Sequence, residues 1–358
     1  MKLTSWLGLA APTFAAVLAT SATAAPLPAP NCGLTAANNC LYFDDFTVYS
    51  LALLNFQAGA GDVNGNDPFK VDTNGTALQN AIVVATGVNG QGSVNTDISA
   101  TGIDQAHETP TGNLVNFQTS SANDGAAGAG IANNSTATWD INVNTLNAFL
   151  AGGQLEFYFN LNQTNSQQTT YLETPQDALG WMAVTLTDAN GANLKTFWLD
   201  GDACTGPAGG RCDPGQSVSQ SQFNDGGNAD LLGDQTAAHD EWAYIHGALC
   251  VDPAGAVIHL GACGQGDPAN AESVNQNLGA NAAAFALVSD QLNFWLNSGF
   301  YDGGKMSVDL RMAALTNGYE QLLILAGPAT QIPEPVTIGL FGAGLIGVGL
   351  LRRRRKKA

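Results

Sequence analysis

The sequence predicts an all-β fold, mostly antiparallel and of β-sandwich or jelly-roll type, with two short helices. In QLEFYFNLN, Leu155, Phe157, Phe159 and Leu161 alternate with more polar residues, and this period of two is typical of a strand. WMAVTLT and NLKTFWL flank Asp-Ala-Asn-Gly, a turn sequence that predicts a hairpin over residues 181–199. Helical periodicity is scarce along the rest of the chain.

The remaining elements follow the same patterns. MSVDLRMAAL, TNGY and EQLLILA predict a second hairpin over residues 306–326. CLYFDDFTVYSLALLNFQ, near the N-terminus, is interpreted as one long strand or two. The two helices are expected in residues 144–153 and 289–299, which share Leu-Asn, an aromatic residue before Leu, and a closing Gly. This likeness indicates either one connection type used twice or an internal duplication.

Three domains are expected, beginning with a secretory signal peptide over residues 1–24. Lys2 precedes an apolar stretch, and small residues follow up to Ala24 and Ala25, the order typical of a cleavable signal. A β-rich extracellular domain over 25–330 and a C-terminal segment over 331–358 complete the chain. The signal predicts that signal peptidase and the general secretion machinery act on the protein.

The charge of the central domain restricts its partners. Residues 25–330 contain five Lys or Arg and 29 Asp or Glu, a net charge of −24. Such a surface repels phosphate backbones and anionic lipid head groups. We therefore expect no nucleic-acid partner and favour neutral sugars, cations or other proteins.

Six cysteines fall into three local pairs, which are Cys32 with Cys40, Cys204 with Cys212, and Cys250 with Cys263. In an exported chain this number predicts three disulfides, and the local grouping favours pairing between neighbours. A zinc site is the alternative, but no C-x-x-C spacing occurs.

Calcium is the one metal that the sequence suggests, and otherwise no cofactor is expected. Asp62, Asn64 and Asn66 occupy alternate positions in DVNGND, as oxygen ligands of a Ca²⁺ loop do. Asp200 and Asp202 offer further carboxylates beside a predicted disulfide loop. The alternative interpretation is that these residues only form turns, because the spacing does not complete an EF-hand loop.

The sequence contains only weak catalytic motifs, and we expect that the protein is not an enzyme. HDEWAYIH contains His239 and His246, but residues seven apart on a strand face opposite sides and so do not converge on one site. The sequence has no G-x-S-x-G elbow and no P-loop. Its many carboxylates leave a two-carboxylate glycoside hydrolase as an alternative, although no particular pair is marked.

The C-terminal segment contains three elements in a fixed order. Pro333, Glu334 and Pro335 precede an uncharged run over residues 336–351, which predicts one transmembrane helix of roughly 24 Å. A basic cluster follows, and it is expected to hold the end of the chain in the cytoplasm by the positive-inside rule. Its arginines are Arg352, Arg353, Arg354 and Arg355.

This segment resembles the PEP-CTERM sorting signal, which exosortases recognise. The resemblance covers only about residues 332–357 and implies a Gram-negative host that makes exopolysaccharide. It also implies transient anchoring in the inner membrane, removal of the tail by an exosortase near Pro-Glu-Pro, and delivery to the cell surface or extracellular matrix. We therefore expect a structural or adhesive protein associated with exopolysaccharide. A lectin-like module that binds carbohydrate or calcium, and a secreted hydrolase, are the alternatives.

Overall fold

Two seven-stranded β-sheets carry most of the structure, and a three-stranded sheet lies beside them. The computed structural model describes residues 24–33, 38–59, 67–73, 80–87, 95, 102–109, 115–119, 138–164, 176–200, 217–219, 241–316 and 320–328. Within them, three α-helices are present: α1 (Leu51–Gln57), α2 (Val143–Leu150) and α3 (Asp290–Asn297). The prediction of a mostly β protein is thus confirmed, with three short helices in place of two.

The described residues form seventeen strands, which are numbered in chain order. The first nine are β1 (Cys40–Phe43), β2 (Phe46–Ser50), β3 (Ile82–Thr86), β4 (His107–Glu108), β5 (Val115–Gln118), β6 (Trp139–Asn142), β7 (Gln154–Asn160), β8 (Ala178–Thr187) and β9 (Lys195–Leu199). The others are β10 (Ser217–Ser219), β11 (Glu241–Ile245), β12 (Ala248–Val251), β13 (Val257–Leu260), β14 (Glu272–Asn275), β15 (Phe285–Val288), β16 (Lys305–Leu315) and β17 (Gln321–Gly327).

The two large sheets face each other across the main core. The first has the order β1-β2-β15-β7-β17-β3-β4. The second has the order β10-β11-β8-β16-β5, with β6 paired to β16 and β9 paired to β8. The third sheet is β13-β12-β14. Pairing among these described strands is antiparallel except between β3 and β4.

Strand β7 shows how the sequence builds the core. Its residues Leu155, Phe157 and Phe159, with Leu161 just beyond it, are buried between the two sheets, as their alternation predicted. Tyr158 points to the opposite face, where a second cluster packs against the outside of the first sheet. Both faces of this strand are therefore covered. The predicted hairpin over 181–199 is also present, as β8 paired with β9.

The predicted hairpin over 306–326 is wrong. β16 lies in the second sheet between β8 and β5, whereas β17 lies in the first sheet between β7 and β3. Both strands are buried along nearly their whole length. Each strand has a neighbour on either side in its own sheet, which pairs its backbone groups without any contact between β16 and β17. The chain therefore crosses from one sheet to the other.

The segment CLYFDDFTVYSLALLNFQ forms β1, β2 and helix α1 instead of strands alone. A turn with Asp44 in the left-handed region, at φ 48°, joins the two strands. Ser50 then caps α1, its side chain accepting a hydrogen bond of 3.2 Å from the backbone N–H of Leu53. The leucine-rich run is compatible with either a strand or a helix, and the Ser50 cap favours the helix.

Helices α2 and α3 occupy equivalent places in two β–α–β units. α2 follows β6 and leads to β7, and α3 follows β15 and leads to β16. β6 pairs with β16, and β15 pairs with β7, both antiparallel. The first strand of each unit therefore pairs with the last strand of the other. Asn147 of α2 donates a side-chain hydrogen bond of 3.5 Å to the carbonyl oxygen of Leu296 in α3. The two segments that resemble each other in sequence therefore also occupy equivalent positions between strands.

The termini predicted to meet a membrane lie outside the described residues. These are the signal peptide over 1–24, apart from Ala24, and the transmembrane helix over 336–351. In the part of the chain that the structure describes, no helix has the length and apolar character needed to cross a membrane.

Candidate functional site

The predicted calcium ligands are mostly beyond the described residues. Asp62, Asn64, Asn66 and Asp202 all fall there. Asp200 is described and lies buried directly after β9. The calcium hypothesis therefore stays a prediction.

Two of the three predicted disulfides are present. Cys32 is bonded to Cys40 and Cys250 to Cys263, each the nearest-neighbour pairing. Cys204 and Cys212 lie outside the described residues. The four bonded cysteines have no thiolate to offer a zinc ion. The zinc alternative therefore fails for these two pairs.

A group formed by Cys250, His259 and Asp267 brings three metal-ligating residue types within 4.8 Å of one another. Because the sulfur of Cys250 is in a disulfide, it is not a metal ligand of ordinary strength. Asp267 instead accepts a 2.7 Å hydrogen bond from the backbone N–H of Gly264 and lies 3.0 Å from Nε2 of His259. These two contacts, that of Gly264 first, lower the pKa of Asp267. These contacts hold the segment from Gly264 to Asp267 against strand β13.

The predicted sorting residues also lie outside the described part of the chain. These are Pro333, Glu334, Pro335, Arg352, Arg353, Arg354 and Arg355. His239 lies outside it too, whereas His246 is buried, with its ring 4.3 Å from that of Tyr244. The described residues therefore bring no pair of histidines together in HDEWAYIH.

A cluster of aromatic side chains on the surface is the best candidate for a binding site. This aromatic patch consists of Phe294, Trp295 and Phe300, with Tyr301 buried beneath them. Phe294 is 61% exposed and Phe300 is 53% exposed. Adjacent rings meet edge to face, with centroids 5.0 to 6.1 Å apart. Single exposed aromatics are ordinary, but a contiguous group of them indicates a contact surface.

The packing of helix α3 explains the exposure of the patch. Ser289 caps the helix by accepting a 3.2 Å hydrogen bond from the N–H of Leu292. Leu292 and Leu296 are buried in the main core. Asn293 bonds both backbone groups of Leu155 in β7, at 2.7 and 3.0 Å. With this face held inward, Phe294 points to solvent.

A cation and a polar loop border the aromatic patch. Nζ of Lys195 lies 5.0 Å from the centre of the Trp295 ring, within the range of a cation–π contact. Asp188, in the turn between β8 and β9, accepts hydrogen bonds from Asn190, Ala192 and Asn193. These bonds, that of the Asn193 side chain first, lower the pKa of Asp188.

The patch combines exposed aromatic side chains with a rim that includes Lys195 and the turn between β8 and β9. Ring faces carry negative charge density and attract C–H groups, such as those on the flat face of a pyranose ring. The hydroxyl groups of a sugar need acceptors and donors of the kind that the rim offers. The sequence predicts a helix here, but it does not predict the patch. The available signal was Phe294, an aromatic residue outside the Leu292–Leu296 face.

Two carboxyl groups with raised pKa values bear on the hydrolase alternative. Glu156 is buried in β7, where the hydroxyl of Tyr158 donates to it at 2.5 Å. Glu320 is buried just before β17. Burial raises the pKa of Glu156 and raises that of Glu320 to about 8. A two-carboxylate hydrolase requires acids that face each other across an open cleft, and these two buried acids do not.

Comparisons with known proteins identify two parts of the chain. The family model described as a domain of unknown function, DUF8239, matches residues 27–311. The model of the PEP-CTERM protein-sorting motif matches residues 331–356, which confirms the resemblance of the C-terminal tail. No curated protein and no solved structure shows a significant match to the chain.

Proposed function

The chain belongs to the DUF8239 family and ends in a PEP-CTERM sorting motif, and from this premise we propose a non-enzymatic function at the cell surface or in the extracellular matrix. The motif marks the protein as exported and sorted by an exosortase. In this proposal the central domain associates with exopolysaccharide in a structural or adhesive capacity. The observation that carries the proposal is the sorting motif at residues 331–356.

The route that we propose includes transient anchoring in the inner membrane of a Gram-negative cell. The signal peptide would be removed first, and an exosortase would then cut near Pro333, Glu334 and Pro335. The basic residues from Arg352 onward would stay on the cytoplasmic side until that cut. The mature domain would leave the membrane without the tail.

The composition of the central domain supports a neutral glycan as partner. Its net charge of −24 disfavours a strongly anionic polymer, because like charges repel. The aromatic patch supports contact with uncharged sugar faces, since Phe294 and Phe300 are exposed and held on a rigid helix and turn. The lectin-like alternative has the same support from these aromatic residues.

Sorting is tested by the fate of the tail in the native host. Glu334→Ala should leave the protein in the inner membrane with residues 336–358 still attached. Thr337→Ala, a change beside the motif, serves as the control and should be processed normally. The mass of the surface-associated wild-type protein gives its C-terminus directly. An intact tail on that protein would show that the processing proposal is wrong.

Glycan binding is tested separately with the secreted mature protein. Affinity electrophoresis in gels containing exopolysaccharide from the host should show retardation of the wild type. The Phe294→Ala/Phe300→Ala double variant should bind about tenfold more weakly, since two aromatic contacts contribute about 1.4 kcal/mol together. Ile258→Ala removes an exposed apolar side chain of β13 and should leave binding unchanged. Equal retardation of all three proteins would exclude the patch.

The calcium-binding form of the lectin alternative has its own measurement. If Asp62, Asn64, Asn66, Asp200 and Asp202 hold calcium, excess chelator should lower the melting temperature of the mature protein. An unchanged melting temperature would remove calcium from the proposal without affecting the sorting or glycan tests.

A further inference from the structure

A cavity of about 120 Å³ lies between the two large sheets. On the side of the first sheet it is lined by Phe43, Val48, Phe285, Leu287, Phe159 and Leu322. On the side of the second sheet, Met182, Leu310, Met312, Leu199, Ala243 and Ile245 line it. The cavity therefore lies within the main core, separate from the aromatic patch and from both ends of the chain.

The cavity extends across several strands. In the first sheet its lining residues come from five successive strands, β1, β2, β15, β7 and β17. Four steps between neighbouring strands, at about 4.8 Å each, make this lining roughly 19 Å wide. A modest volume spread over that width describes a narrow slot, which fits a chain better than a bulky ring system.

No Asp, Glu, Lys or Arg is among the described residues that line the cavity. Its polar side chains include Asn38, Asn39, His246 and Gln276. Gln276 donates a 2.9 Å hydrogen bond to the backbone carbonyl of His246, so two of these residues are neighbours. The described lining thus combines a long apolar surface with uncharged amides and the imidazole of His246, and it has no Lys or Arg to pair with an anionic ligand.

The two described disulfide loops contribute to the border of the cavity. The Cys32–Cys40 loop provides Gly33, Asn38 and Asn39, and the Cys250–Cys263 loop provides Val257 and Leu260. Gly33, Asn39, Val257 and Leu260 are only partly buried, so the cavity approaches the surface between these loops. Closing each loop with a disulfide limits the freedom of this border.

From this geometry we propose that the cavity binds a neutral lipid-like molecule, a single hydrocarbon chain with an uncharged polar head group. Apolar cavities of comparable size stay dry and accept apolar guests. The chain lies between the sheets, along the slot lined by Phe159, Phe285 and Met182. The head group lies at the partly buried border between the two disulfide loops. A carboxylate head group is disfavoured because the site would leave its charge unpaired.

The proposal is tested first with two ligands that share a chain. A neutral probe with a single alkyl chain, tritiated dodecan-1-ol, should bind the secreted mature wild-type protein, and unlabelled dodecan-1-ol should displace it. Dodecanoate at pH 8 has the same chain and a charged head group, and it should need about tenfold higher concentration. Equal displacement by both ligands, or no probe binding, would overturn the proposal.

A variant pair then locates the site. Ala243→Leu places additional atoms in the cavity and should weaken probe binding about tenfold, while the melting temperature stays the same or rises because a void is filled. Ala192→Leu makes the same change on the exposed turn between β8 and β9 and should alter neither quantity. A lower melting temperature for Ala243→Leu with unchanged probe binding would place the probe elsewhere and refute the assignment.

Discussion

Glu320→Gln removes a buried carboxyl group that has no ion-pair partner among the described residues. The side chain of Gln163 donates to Oε1 of Glu320 at 2.6 Å, and Gln163 accepts in turn from the backbone N–H and hydroxyl of Thr316 at 2.6 and 2.7 Å. Burial raises the pKa of Glu320 from 4.5 to about 8, opposed by hydrogen bonds from its own backbone and that of Asn162. The folded protein therefore holds this carboxyl protonated near neutral pH.

The direction of the pH dependence follows from which state, folded or unfolded, binds the proton of Glu320 more tightly. The folded state binds the proton more tightly than the unfolded state, so this contribution to stability is complete below pH 4.5 and is lost as the pH rises through 8. One pKa unit corresponds to about 1.4 kcal/mol, so this contribution falls by roughly 3 kcal/mol between pH 5 and pH 8. Glutamine keeps the shape and the bond from Gln163 but does not titrate.

Urea unfolding of the mature protein at several pH values measures this contribution. The stability of Glu320→Gln relative to wild type should rise by roughly 3 kcal/mol from pH 5 to pH 8. Glu272→Gln, at an exposed glutamate of β14, removes the same formal charge and should show a far smaller pH dependence. If the difference between Glu320→Gln and wild type is the same at pH 5 and pH 8, the reasoning from burial is wrong.

Two further predictions concern backbone and covalent constraints. A Cβ at Gly304 would collide with the carbonyl oxygen of Thr187, so Gly304→Ala should lower the free energy of unfolding by about 2 kcal/mol. Gly264→Ala, where the surrounding space is open, is the control, and equal urea midpoints for the two variants would contradict this. Replacing both Cys250 and Cys263 with alanine opens a loop of 13 residues and should cost about 3 kcal/mol under oxidising conditions. The difference in unfolding free energy between wild type and the double variant should disappear in excess reductant, and a difference that persists would contradict this.

Local chemistry made several features predictable. The alternation of Leu155, Phe157 and Phe159 indicated which face of β7 is buried, because successive strand residues point to opposite faces. The turn between β8 and β9 was predictable since its residues are contiguous. The two described disulfides joined near neighbours, for which chain proximity already favours pairing. The aromatic patch could not be predicted from the sequence, because the exposure of Phe294 depends on which side of α3 contacts β7.

The sequence by itself determined the β character of the domain, the neighbour pairing of its described disulfides and the sorting signal, since each depends on residues close together in the chain. Tertiary structure alone decided that β16 and β17 join different sheets, that Phe294 and Phe300 lie together on the surface, and that a cavity lies between the sheets. These features depend on contacts between segments far apart in the sequence, where local spacing carries no information about which surfaces meet.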